Sequence, residues 1–119
     1  MITGAEGDQR RVPLEPRPDL RRYPRARVAW KVIVEMPGSR PRLRKTVDLS
    51  PLAVKVRLDD RLPQGAEARL RFDVPDHRPL AVKAVVGRTD ADGPVFMFVG
   101  VGPEELDRLK SLIDAYRHL

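Results

Sequence analysis

"ARLRFDV" (residues 68–74) decides the fold class. Ala68, Leu70 and Phe72 alternate with Arg69, Arg71 and Asp73. An extended backbone points successive side chains to opposite faces, so this stretch is a strand with one dry face and one wet face. Working outward, other short apolar stretches end in turn chemistry. "VAWKVIVEM" (28–36) ends at "PGSRP", "VKVRL" (54–58) at "DDRLPQG", "ARLRFDV" at "PDHRP", and "LAVKAVVGR" (80–88) at "TDADGP". Pro, Gly and Asp favour turns for distinct backbone reasons, so these boundaries read as strand ends. With "RLRKTV" (42–47) and "VFMFVGV" (95–101), about six strands are predicted. Short antiparallel strands in so few residues predict a mainly β fold, a sheet closed or nearly closed into a small barrel over about residues 28–101, because closure removes exposed edges.

The C-terminal stretch changes period. "GPEELDRLKSLIDAYRHL" (102–119) sets Leu106, Leu109, Leu112, Ile113 and Tyr116 at helical spacing, which gives one apolar stripe. Pro103 suits the first helical position, Glu104 and Glu105 complement the positive end of the helix dipole, and Lys110, Arg117 and His118 lie toward the other end. A helix is predicted over about 103–118, covering one opening or flank of the barrel. Residues 1–20 hold three of the twelve prolines and almost no apolar periodicity, so they are expected to form a flexible tail ahead of one domain over 21–119.

Composition narrows the function. The 119 residues carry a net charge of +6 and no cysteine. The charge favours anionic partners. The lack of thiols excludes a disulfide framework and thiolate chemistry and fits a reducing cytoplasm, where the protein is expected to reside. No apolar run reaches membrane-spanning length. The histidines, His77 and His118, fall in a predicted turn and next to the last residue, a poor basis for a metal or acid–base site. No glycine-rich phosphate loop occurs. Asp59 with Asp60, and Asp90 with Asp92, sit in turn-like sequence where Asp is favoured locally. A binding module with no catalytic centre and no cofactor is therefore expected.

Three basic groups stand out: Arg21, Arg22, Arg25 and Arg27; then Arg40, Arg42, Arg44 and Lys45; and cations scattered on the strand faces. Residues 1–27 hold seven arginines against four carboxylates. Guanidinium binds two phosphate oxygens at once, stacks on a purine, or pairs with the guanine O6/N7 edge. Downstream, "TVDLSPLAVKV" (46–56) places Asp48 and Ser50 two residues apart, on one side of an extended backbone, as acceptor and donor–acceptor.

These elements resemble the PilZ domain family, whose signature is R-x-x-x-R followed about twenty residues later by [DN]-x-S-x-x-G. Arg21 and Arg25, with Arg22 in the frequent "RR-x-x-R" form, match the first part; Asp48 and Ser50 match the second. The resemblance covers roughly residues 20–118. It implies a six-stranded antiparallel PilZ-type β-barrel with a C-terminal α-helix that binds cyclic di-GMP. Arg21 and Arg25 would clamp phosphate and base, Arg22 would assist, and Asp48 and Ser50 would contact a guanine edge. An arm that orders over the ligand would convert binding into a change of shape, read by a bacterial effector or motility protein. Two positions depart from the pattern: Ala53 replaces the motif glycine, and Val95 leads into Phe98 without the usual glycine. A left-handed backbone at Ala53 would cost about 1 kcal/mol or more. The alternative is a PilZ-like adaptor that binds a protein and no nucleotide, for example in motility or pilus control. Single-stranded nucleic acid is disfavoured, because stacking needs exposed aromatics and Trp30, Phe72, Phe96 and Phe98 are expected in the core. Tyr23 alone stands among arginines.

Overall fold

A computed structural model describes residues 25–117. The expected tail, Arg21, Arg22, Tyr23 and His118 lie outside the described residues. The described residues form six strands, β1 (Lys31–Glu35), β2 (Arg42–Leu49), β3 (Ala53–Arg57), β4 (Glu67–Asp73), β5 (Leu80–Asp90) and β6 (Gly93–Val99), and one helix, α1 (Pro103–Tyr116). The strands close into an antiparallel barrel in the order β1-β2-β3-β6-β5-β4. The mainly β barrel with a C-terminal helix read from the sequence is the observed fold.

Alternation builds the core. In β4, Ala68, Leu70 and Phe72 point inward and are buried. They pair with Ala84, Val82 and Leu80 of β5 on one side, while Leu70 and Phe72 pair with Val34 and Val32 of β1 on the other. Each fully buried Leu, Val or Phe contributes about 1.5–3 kcal/mol of transfer free energy. The α1 stripe adds Leu109, Leu112 and Ile113 to the same core, with Leu106 and Tyr116 half-buried. Arg108 donates to the carbonyls of Pro79, at 3.2 Å, and Arg78, fastening the helix to the β4–β5 loop. No helix of the described residues is long and apolar enough to cross a membrane.

Several details differ from the sequence reading. The first ladder begins at Lys31, not Val28. Residues 25–30 nevertheless alternate, with Ala26, Val28 and Trp30 buried and Arg25, Arg27 and Ala29 exposed. Thr46 explains the difference: its buried hydroxyl accepts from the Trp30 N–H at 3.0 Å and donates to the Val28 carbonyl. A side chain thus satisfies backbone groups that a strand partner would otherwise take. At the other hairpin, β5 runs through the expected turn as far as Asp90, which pairs with Gly93, so the turn shrinks to Ala91 and Asp92. In α1, the last turn carries no base and Arg117 occupies the C-cap.

Candidate functional site

Strict alternation along β2 would bury Asp48, since Thr46 faces the core. A bulge between Thr46 and Asp48 prevents this. The extra residue advances the phase by one, so Leu49 turns inward and Asp48 turns out, half-exposed. A second bulge, between Val86 and Arg88 on β5, does the same for Arg88. Gly87 is the inserted residue, and a Cβ there would come within 2.7 Å of the Met97 side chain.

The two bulges bring their charges into one line. Asp48 lies opposite Lys55 on β3, Lys55 opposite Val95 on β6, and Val95 opposite Arg88 on β5. This row crosses four strands on the outer wall and lines a concavity completed by Arg25, Ser50, Ala53 and Val54. The next row, Leu49, Val54, Phe96 and Val86, is buried core beneath it. Val95 is 4% exposed although it faces outward. The result is an apolar floor ringed by charged side chains.

Arg25 reaches this site because its neighbour is stitched down. Ala26 and Leu49 exchange both backbone hydrogen bonds, each 2.9 Å. Continuing that register sets Arg25 beside Ser50, at the mouth of the concavity. Four of the six expected site residues, Arg25, Asp48, Ser50 and Ala53, therefore come together. Arg21 and Arg22 lie outside the described residues.

Ser50 and Ala53 are bound to each other. The Ser50 hydroxyl accepts from the N–H groups of Leu52 at 3.2 Å and Ala53 at 3.1 Å, and donates to the Ala53 carbonyl at 3.4 Å. The Ser50 N–H donates to the same carbonyl at 2.9 Å. Ser50 is 3% exposed, so its side chain closes the β2–β3 turn. Ala53 opens β3 in extended backbone; among the described residues, Asp76 is the only non-glycine residue at positive φ. The alanine methyl is thus unstrained where the motif has glycine, and it forms part of the wall.

Lys55 and Arg88 were not singled out from the sequence. Lys55 Nζ lies 3.0 Å from Asp90 and 3.1 Å from Asp92, while Arg88 Nε lies 3.0 Å from Asp90. Burial works against the charged form of Lys55, but the two carboxylates outweigh it and hold its pKa above the ordinary value. Arg88 and then Lys55 lower that of Asp90, and Lys55 lowers that of exposed Asp92. The aspartates expected to serve their own turn also reach across to β3. A cation at an outward strand position beside Val95 was the available signal, and it needed the register to be read. Among the described residues, no group of three His, Cys, Asp or Glu side chains is placed to hold a metal.

No family model and no curated protein matches the chain. Solved structures do. The Bacillus subtilis inhibitor of motility MotI/DgrA superposes with a TM-score of 0.68 at 16% identity, over 86% of this chain and 51% of that one. The chain thus spans about half of that relative. The PilZ domain of YcgR from Escherichia coli, solved with c-di-GMP, gives 0.67 at 14% identity, over 82% of this chain and 91% of that one. The PilZ domain of CeSA from a cellulose-synthesising bacterium gives 0.62 at 20% identity, over 76% and 95%. The described residues share the fold of these PilZ domains.

Proposed function

We propose that the protein is a cytoplasmic cyclic di-GMP receiver of the PilZ type, a binding module and not an enzyme, that converts ligand binding into a change of shape read by a protein partner. The observation that carries this is the convergence of Arg25, Asp48, Ser50 and Ala53 on one concavity, fixed by the Ala26–Leu49 bridge and the β2 bulge. The likeness in fold to a PilZ domain that holds c-di-GMP supports it. Arg25 supplies a guanidinium fork for phosphate or guanine, joined by Arg21 and Arg22 from the preceding segment. Asp48, turned outward, accepts from the guanine N1/N2 edge. Ser50 holds the turn that presents it. Ala53 and Val95 offer an apolar surface against which a base can lie.

Calorimetric titration with cyclic di-GMP tests the reading. Micromolar or tighter binding is expected, weakened at least about tenfold by Arg25→Ala, since a bidentate charged contact is worth roughly 1.5–3 kcal/mol. No heat at millimolar ligand overturns it. A second reading, an adaptor that binds protein alone, is favoured by one observation: the hydroxyl of Ser50 and the cations of Lys55 and Arg88 already have partners within the chain. It predicts no nucleotide binding by the wild type or by Ala53→Gly. The motility inhibitor among the structural neighbours gives that reading a context.

A further inference from the structure

A phosphate arriving over Val95 meets two cations that are already engaged. Lys55 sits between Asp90 and Asp92, and Arg88 holds Asp90 through Nε at 3.0 Å, with Nη2 at 3.5 Å from its second oxygen. The carboxylates come from the β5–β6 hairpin, whereas the cations line the concavity with Arg25 and Asp48. Nothing in a binding wall requires its cations to be neutralised by a neighbouring turn. Two backbone features produce that arrangement. The Gly87 bulge aims Arg88 into the row with Lys55, and Gly93 lets the hairpin lie against the Val56 carbonyl of β3, where a Cβ would overlap that oxygen.

We propose that Asp90 and Asp92 are a built-in competitor: they occupy Lys55 and Arg88 in the free protein and are displaced by a phosphodiester of the cyclic dinucleotide. This rests on cyclic di-GMP being the ligand. At Lys55, exposure shows which side yields, whereas Arg88, whose side chain is 54% exposed against 29% for Asp90, is the more open member of its own pair and is free to turn onto the ligand. The Lys55 side chain is 18% exposed, while those of Asp90 and Asp92 are 29% and 40% exposed. The carboxylates can turn into water and stay hydrated, and Lys55 stays against the wall with its charge available. Ion pairs this open to solvent are individually weak, so a dianionic ligand with further contacts can replace them. The competition sets the concentration at which the receiver responds. Lys55 and Arg88 thereby become phosphate-binding residues alongside Arg25.

The test titrates cyclic di-GMP into three proteins: the wild type, Asp90→Asn/Asp92→Asn, and Asp59→Asn/Glu67→Gln. The last removes the same two charges from exposed positions outside the concavity that make no ion pair among the described residues. The hairpin variant is expected to bind on the order of tenfold tighter, and the control to stay within about twofold of the wild type, because a general gain in net charge acts weakly at physiological salt. Should the double variant fail to fold, Asp92→Asn alone, at an exposed side chain, is expected to gain about threefold. Equal affinity in the wild type and the hairpin variants, or an equal gain in the control, overturns the competitor and leaves the receiver intact. Binding by the hairpin variant alone supports the competitor. No binding by any of the proteins at millimolar ligand overturns both.

Discussion

The backbone of Gly93, at the start of β6, lies against the carbonyl of Val56 on β3, with φ at 148° and no room for a side chain. This contact sets the height of the β5–β6 hairpin over the concavity. Gly93→Ala is expected to destabilise the fold by more than about 2 kcal/mol, because overlap with a carbonyl adds to the cost of a backbone that L-residues avoid. Urea unfolding followed by Trp30 fluorescence measures it; a loss under about 0.5 kcal/mol would show that the hairpin shifts freely.

Thr46 is a buried polar side chain that links residues 28–30 to β2. Thr46→Val keeps the shape and removes the hydroxyl, leaving the Trp30 N–H without its acceptor. A cost of about 1–3 kcal/mol is expected. Thr46→Ser, which keeps both bonds, should lose less than the valine variant in the same unfolding experiment.

Lys31, Lys45 and Arg57 lie directly opposite one another across β1, β2 and β3, with no ion pair among the described residues. Like charges at such positions repel. Lys45→Glu is expected to stabilise the protein by about 0.5–1 kcal/mol at low salt, with the gain shrinking as salt screens the row. A melting-temperature series in sodium chloride reads it; a gain independent of salt would contradict the electrostatic cause.

Asp90 has a lowered pKa in the folded state, so its ion pairs stabilise the fold above the ordinary carboxylate value of 3.8 and are lost as pH falls through the lowered one. Lys55 has a raised pKa, so its contribution is complete below 10.5 and is lost as pH rises through the raised value. Asp90→Asn should therefore lower the melting temperature near neutrality and converge with the wild type in acid. The partial exposure of the pair limits the neutral-pH loss to about 1 kcal/mol. A constant gap down to the acid limit would assign the effect to packing.

Asp48 and Ser50 should separate in their effects. Asp48→Ala is expected to weaken cyclic di-GMP binding at least about fivefold with stability little changed. Ser50→Ala should cost about 1–2 kcal/mol of stability, because two turn N–H groups lose their acceptor, and weaken binding through that loss. Unfolding curves run beside the titrations distinguish the two, and an Asp48→Ala protein with wild-type affinity removes Asp48 from the site.

The barrel was legible because its signals are local. Alternation in residues 68–73 and the turn residues between strands fix which side chains face inward, and the stripe from Leu106 to Tyr116 marks the helix. Half of the lining of the concavity was legible for a different reason: Arg25, Asp48 and Ser50 fall into a short spaced motif. Lys55, Arg88 and the reach of Asp90 and Asp92 were not legible, because they depend on which residues β3, β5 and β6 place opposite one another. Both bulges interrupt the period of two, and alternation alone does not show where an extra residue enters a strand. The status of Ala53 likewise needed the backbone: a sequence says that glycine is missing, and only φ says whether glycine was needed.

Barrel closure also limits how this molecule can be recognised. Among the described residues, each of the six strands has a neighbour on both sides, so none of them offers a free edge for another chain to extend the sheet through main-chain hydrogen bonds. A protein that docks on the barrel is left with outward side chains such as exposed Leu43 to grip. Single substitutions on the outer wall can therefore abolish docking while leaving the barrel intact.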